Sequence, residues 1–264
     1  MGFLSSFLSG GREDSVFDSN EIVKAIRAND LNRLARVAVD NLSLLQFEDR
    51  LNRIDSDGQT FLSRLLRDGR GQLAKYVMNF GARIDVKLPD GKLVGQLNTD
   101  RSIGGYLEAI YCIMSGNFGA DDVIALGTDN VPHTPTMWMT KLGYYYGLKY
   151  FLSECHANPN KCYSNYCTPV MIATEMGYPH FIDILAKYGA DMDQTDEDGW
   201  SALSFAAANI NHVPNGLGSS ARALIKNGAN INHRNIHGQT PLALATHYGN
   251  DVVTAILRQA GAIV

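Results

Sequence analysis

The stretch His237–Ala262, HGQTPLALATHYGNDVVTAILRQAGA, decides the fold. Thr240-Pro241-Leu242 opens a short helix, because a proline in the first turn loses nothing by lacking its N–H. Leu242, Leu244 and Ala245 line one face of it with residues small enough to admit a close neighbour. Gly249 breaks the helix where the chain must reverse. Val252, Val253, Ile256 and Leu257 then stripe a second helix, and Gly261 stops it. Two helices this short cannot bury their own apolar faces, so the unit needs copies of itself on either side.

The copies are present. A Thr or Ser opener, a turn Gly nine residues later and a stop Gly twelve beyond that recur at Thr60, Gly69 and Gly81, at Thr168, Gly177 and Gly189, and at Thr240, Gly249 and Gly261. Thr134 and Gly143 fit with Cys155 in the last slot, and Ser201 opens a copy that closes six residues late at Gly228. The openers at 60, 134, 168, 201 and 240 leave room for one degenerate copy between the first two, marked by Asp90-Gly91 and by Phe118-Gly119-Ala120-Asp121. Its segment 95–117 has room for two helices, with Tyr106, Leu107, Ile110, Tyr111 and Ile113 on the longer one.

A closing signature reads GARID at 81–85, GADMD at 189–193 and GANIN at 228–232, and a turn signature reads DGQT at 57–60, DGWS at 198–201 and HGQT at 237–240. This pattern is similar to the ankyrin repeat family, in six to seven copies over residues 20–264. Pro is missing after Thr60 and Ser201, and the family's usual His after Leu is absent throughout. The resemblance implies an all-α ankyrin-repeat solenoid of stacked helix-turn-helix units with β-hairpin-like connecting loops, used to bind another protein. The organisation expected is a flexible leader at 1–19 and one repeat domain at 20–264. That domain comprises an N-terminal capping repeat at 20–54, repeats at 55–86, a degenerate 87–128, 129–160 and 161–193, then 194–232 with an insertion at 211–216 and a C-terminal repeat at 233–264.

Composition narrows the function. A net charge of −4 and a pI near 6.0 argue against nucleic acid as the main partner. No run approaches the ~18 apolar residues of a membrane span. Residues 1–10 lack the basic start and apolar core of a signal peptide. The expectation is a reduced, cytoplasmic protein that is a monomer when free. Met1-Gly2 with Ser6 matches a myristoylation pattern, but no basic cluster supplies a second membrane signal.

Little in the chain suggests chemistry. Cys155, His156, Cys162 and Cys167 suit zinc in kind, but their spacing contains no C-x2-C pair, so no metal is expected. No phosphate-cradling loop and no nucleophile–base spacing is present, which points to a non-enzyme without cofactor. Trp138 sits where the family has a leucine and reads as core. Tyr144, Tyr145 and Tyr146 are consecutive, so at least one should be exposed. Ala262-Ile263-Val264 must fold back or leave apolar surface uncovered, and packing is the expectation. Arg64 fills a slot usually small or apolar.

The resemblance implies a concave binding surface built from hairpin tips and the ends of the first helices. Its variable positions map here onto Asp57, Gln59, Arg67, His133, Leu142, Glu175, Met176, Glu197, Asp198, Trp200, His237, Gln239, His247 and Tyr248, with Ile236 in the same mapping. Trp200 stands out, either as an exposed anchor or lying flat across the next hairpin. Glu197 and Asp198 make an acidic rim that suits a basic, partly apolar partner. The leading reading is an inhibitor- or immunity-like module that binds and inhibits or sequesters a specific protein. The alternative is an adaptor or secreted effector that recruits a host protein, membrane-anchored through the leader.

Overall fold

The computed structural model describes residues 51–97, 104–116, 118–124, 132–162, 167–208 and 216–263. The leader, nearly all of the capping repeat and residues 211–215 of the insertion lie outside them. The chain forms two compact units, one of Met1–Tyr111 with Tyr144–Tyr146 and the other of Cys112–Gly143 with Gly147–Val264. The described residues are all-α with isolated β-bridges and no strand.

In the first unit, α1 (Phe61–Arg67) and α2 (Gly71–Asn79) pack antiparallel on Phe61, Leu62, Leu65, Leu66, Leu73, Val77 and Met78, all buried. The degenerate copy follows. Among the described residues its first helix is represented by the 3-10 turn Val94–Gln96, set on α1, and the longer helix α3 spans Gly104–Ser115. The three tyrosines depart from expectation: Tyr144 and Tyr145 are buried and Tyr146 is half-buried, so none is exposed. Tyr144 precedes the helix that Tyr145 starts, so it leaves the backbone in its own direction, and its hydroxyl oxygen accepts the Ile84 N–H at 3.3 Å. Tyr146 lies beneath the Arg83 guanidinium, 4.2 Å from the ring centroid.

The second unit contains α4 (Pro135–Lys141), the greater part of α5 (Tyr145–Ser153), α6 (Pro169–Glu175), α7 (Pro179–Lys187), α8 (Ala202–Ala208), α9 (Gly216–Lys226), α10 (Pro241–His247) and α11 (Asp251–Gln259). Helices of seven to eleven residues are too short to persist alone in water. They persist by stacking: α4, α6, α8 and α10 contact one another in series, and α7, α9 and α11 form a second series behind them. The shared core includes Met137, Met139, Ala173, Phe181, Leu185, Leu203, Ala206, Leu224, Leu244 and Leu257.

Five first helices among the described residues start in the same way. The opener's hydroxyl accepts an N–H three residues on: Thr60 from Ser63, Thr134 from Met137, Thr168 from Met171, Ser201 from Ser204 and Thr240 from Ala243, at 3.1–3.4 Å. The turn and stop glycines occupy left-handed backbone. One stop departs from the ruler. Cys155 is not the left-handed residue; His156 is, at φ 54°, and it is the single non-glycine with positive φ among the described residues. The helix end carries one extra residue, so Ala157 donates to the Phe151 carbonyl at 2.9 Å where Ala190 reaches Leu185 at 3.0 Å. The closing signature of that copy is therefore HANPN, 156–160.

A second ladder ties one helix pair to the next. At five of these junctions an Asp or Asn presents a side-chain oxygen to a backbone N–H of the following copy, whereas Asp85 is bonded by the Arg83 guanidinium of its own signature. Asn52 receives Arg83 and Asn160 receives Asp191, each at 2.7 Å. Asp121 receives Asn158 at 2.9 Å, Asp193 receives Asn230 at 2.7 Å and Asn232 receives Ile263 at 2.9 Å. The asparagines Asn52 and Asn160 also donate to the carbonyls of Gly81 and Gly189. Ile263 is thus held by its backbone while its side chain stays 63% exposed, against the expectation that it packs.

Candidate protein-interaction surface

Three of the described hairpin tips are locked by an aspartate or asparagine at their base. Asp55 Oδ1 accepts the N–H groups of Asp57 and Gln59, Asp196 Oδ1 those of Asp198 and Trp200, and Asn235 Oδ1 those of His237 and Gln239, at 2.7–3.0 Å. Backbone bonds Asp55–Gln59, Asp196–Trp200 and Asn235–Gln239 repeat the closure. Gly58, Gly199 and Gly238 supply the positive φ each tip requires. The side chains between base and closure are left to face outward.

In the first unit Asp57 and Arg67 are exposed and Gln59 is half-buried, its amide oxygen accepting the Ser63 hydroxyl at 2.9 Å. Arg64 explains its unusual slot here. Its guanidinium reaches Asp55 at 2.6 Å and also bonds Asp57, bracing its own tip. Burial alone would raise the Asp55 carboxyl; the Gln59 N–H and Arg64 outweigh it and hold the group below the usual carboxylate range. Arg67 lies 3.8 Å from Asp90 of the neighbouring turn.

In the second unit Glu197, Asp198, His237, His247 and Tyr248 are exposed, and Leu142, Glu175, Met176, Trp200 and Gln239 are half-buried. Trp200 is half-buried, and its ring packs on Phe205 of α8, centroids 5.6 Å apart. His247 and Tyr248 meet edge-on at 5.0 Å. His133 does not belong to a surface. It is buried, its ring edge-on to Trp138 at 4.9 Å with Lys141 Nζ 3.3 Å from Nε2, because it pairs with Ile124 and opens α4 from beneath. Trp138 is buried as well, its indole N–H donating to the Ile124 carbonyl at 2.8 Å.

Ile236, at the tip next to His237, is 65% exposed and is the most exposed large apolar side chain among the described residues. The sequence mapping contained it but gave priority to the aromatic Trp200; only the structure shows which of the two side chains is uncovered. The cysteines make no metal-holding cluster among the described residues. Cys162 Sγ accepts from the Gln194 amide at 3.7 Å, and burial with Glu175 and Asp196 nearby pushes the Cys167 thiol up to about 12.

Comparison with known proteins agrees with this architecture. Residues 136–235 match the family model for ankyrin repeats in three copies. The chain carries ankyrin repeats. A hundred residues are 31% identical to an ankyrin repeat and KH domain-containing protein of Caenorhabditis briggsae, covering 38% of this chain and 4% of that protein. Neurogenic locus notch homolog protein 1 is 38% identical over 77 residues in Danio rerio and 37% over 78 in Homo sapiens, covering 29% and 30% of this chain and 3% of each relative. The similarity thus spans a small part of these relatives' lengths. Ankyrin repeats are protein-interaction modules, and none of the described helices is long and apolar enough to cross a membrane.

Proposed function

We propose that this ankyrin-repeat chain binds a specific protein and acts by occupying or sequestering it, as an inhibitor does, through its hairpin tips and the ends of its first helices. The observation that carries the reading is the locked tip. Backbone and Asx bonds fix these three hairpins, and the outward side chains change from copy to copy: Asp57 in one, Glu197 and Asp198 in another, Ile236 and His237 in the last. Rigid loops with divergent exposed side chains suit recognition, since little ordering entropy is lost on binding. Trp200, half-buried against Phe205, serves as an anchor.

Of the mapped residues, Asp57, Gln59, Arg67, Leu142, Glu175, Met176, Glu197, Asp198, Trp200, His237, Gln239, His247 and Tyr248 are assigned to partner contact, and His133 is not. An affinity capture from the native source with wild type and Trp200→Ala tests the reading. One protein recovered by wild type and lost with the folded variant supports it. Equal recovery by both moves the contact away from these hairpins.

A further inference from the structure

The tips at 196–200 and 235–239 form one continuous piece. The Ile236 N–H donates to the Asp198 carbonyl at 3.1 Å, and His233 Nε2 lies 2.9 Å from the Gly199 carbonyl. A Cβ on Gly199 would fall 3.0 Å from the Ile236 nitrogen, so the two backbones meet as closely as a glycine permits. On this fixed platform Ile236 offers an uncovered β-branched side chain with little rotamer freedom to lose. Trp200 sits on the same pair with its ring partly covered by Phe205. Glu197 and Asp198 stand exposed beside them, and neither carboxylate pairs with a cation among the described residues. The base carboxylate Asp196 is different, because its oxygen is already occupied by the turn's own N–H groups.

We infer that this hairpin pair takes a basic, partly apolar segment of its protein partner. An aliphatic or aromatic side chain covers Ile236, and flanking lysine or arginine side chains meet Glu197 and Asp198. The inference rests on the protein-binding reading above and adds the chemistry of the partner. Complementary charge sets which segment is chosen and how fast it arrives, while burial of Ile236 retains it. A chain with a net charge of −4 opposes an acidic segment at the same place.

The test is selection of a phage-displayed random peptide library on the full chain, followed by binding of the enriched peptides to wild type, the Glu197→Lys/Asp198→Lys double variant and Ile236→Asp. All three altered side chains are exposed, and circular dichroism checks that the fold is kept. The expected result is enrichment of peptides with Lys or Arg flanking an apolar residue. Their affinity should fall about tenfold or more in either variant and decline as salt is raised. Enrichment of acidic or neutral peptides, unchanged affinity in both variants, or no enrichment overturns the inference. Neutral peptides that bind wild type and lose Trp200→Ala overturn this inference alone and leave the protein-binding reading in place.

Discussion

Replacing Asn160 by alanine probes the ladder between helix pairs most sharply, because one side chain there makes two bonds to the next copy. Its amide oxygen accepts the Asp191 N–H at 2.7 Å and its amide nitrogen donates to the Gly189 carbonyl at 3.1 Å. A net contribution of about 0.5–1.5 kcal/mol per bond puts Asn160→Ala at about 1–3 kcal/mol. With a urea dependence of about 2 kcal/mol/M, a loss of about 2 kcal/mol moves the unfolding midpoint down by about 1 M. Asn160→Asp keeps the acceptor, loses the donor and sets a carboxylate against a carbonyl, so its midpoint should lie between wild type and alanine. Asp193→Asn keeps the acceptor for Asn230 and should change the midpoint by less than about 0.25 M, a shift of about 0.5 kcal/mol. Urea denaturation followed by circular dichroism reads all three. An alanine variant within about 0.5 kcal/mol of wild type, or an aspartate as damaging as the alanine, would refute the ladder as a source of stability.

Three further outcomes follow from local geometry. His156→Gly should stabilise the chain by about 0.5–1 kcal/mol, since the exposed His156 holds a left-handed conformation that glycine adopts without steric cost; a lower thermal midpoint would contradict this. Asp55 has a depressed folded pKa, so its stabilisation is fully present above about pH 4 and is lost as pH falls through the folded value. The stability gap between wild type and Asp55→Asn should therefore narrow as pH falls below about 4, and a gap that acid leaves unchanged sinks the argument. Cys167, with its thiol pushed up to about 12, should react with iodoacetamide at pH 8 far more slowly than the exposed Cys112, as peptide mass mapping would show.

The openers and turn glycines were legible in the sequence because each does a fixed job: a hydroxyl caps a helix, and a residue without Cβ reverses the chain. What escaped the ruler were positions where another residue does the same job. His156 replaces the stop glycine, so a spacing set by Gly falls one residue early, on Cys155, and leaves HANPN without the Gly that marks the other closing signatures. The Asp and Asn residues at 52, 121, 160, 193 and 232 share that register, and their common role shows in the backbone N–H each receives. The polar surface was harder still. His133 occupies a slot exposed in the family pattern, but here a tryptophan at 138 and Lys141 close over it. Arg64 looked like an intruder on an apolar face until Asp55 and Asp57 turned out to hold its guanidinium. In both cases the deciding contact is between side chains whose partner the spacing does not name.

Hydrogen exchange of the chain with and without its captured partner tests the central claim most directly. The account predicts added protection of the backbone amides at 196–200 and 235–239, and at the last turns of α6 and α10 that carry Glu175 and His247. Protection confined to the second series, α7, α9 and α11, with the tips unchanged, would contradict it.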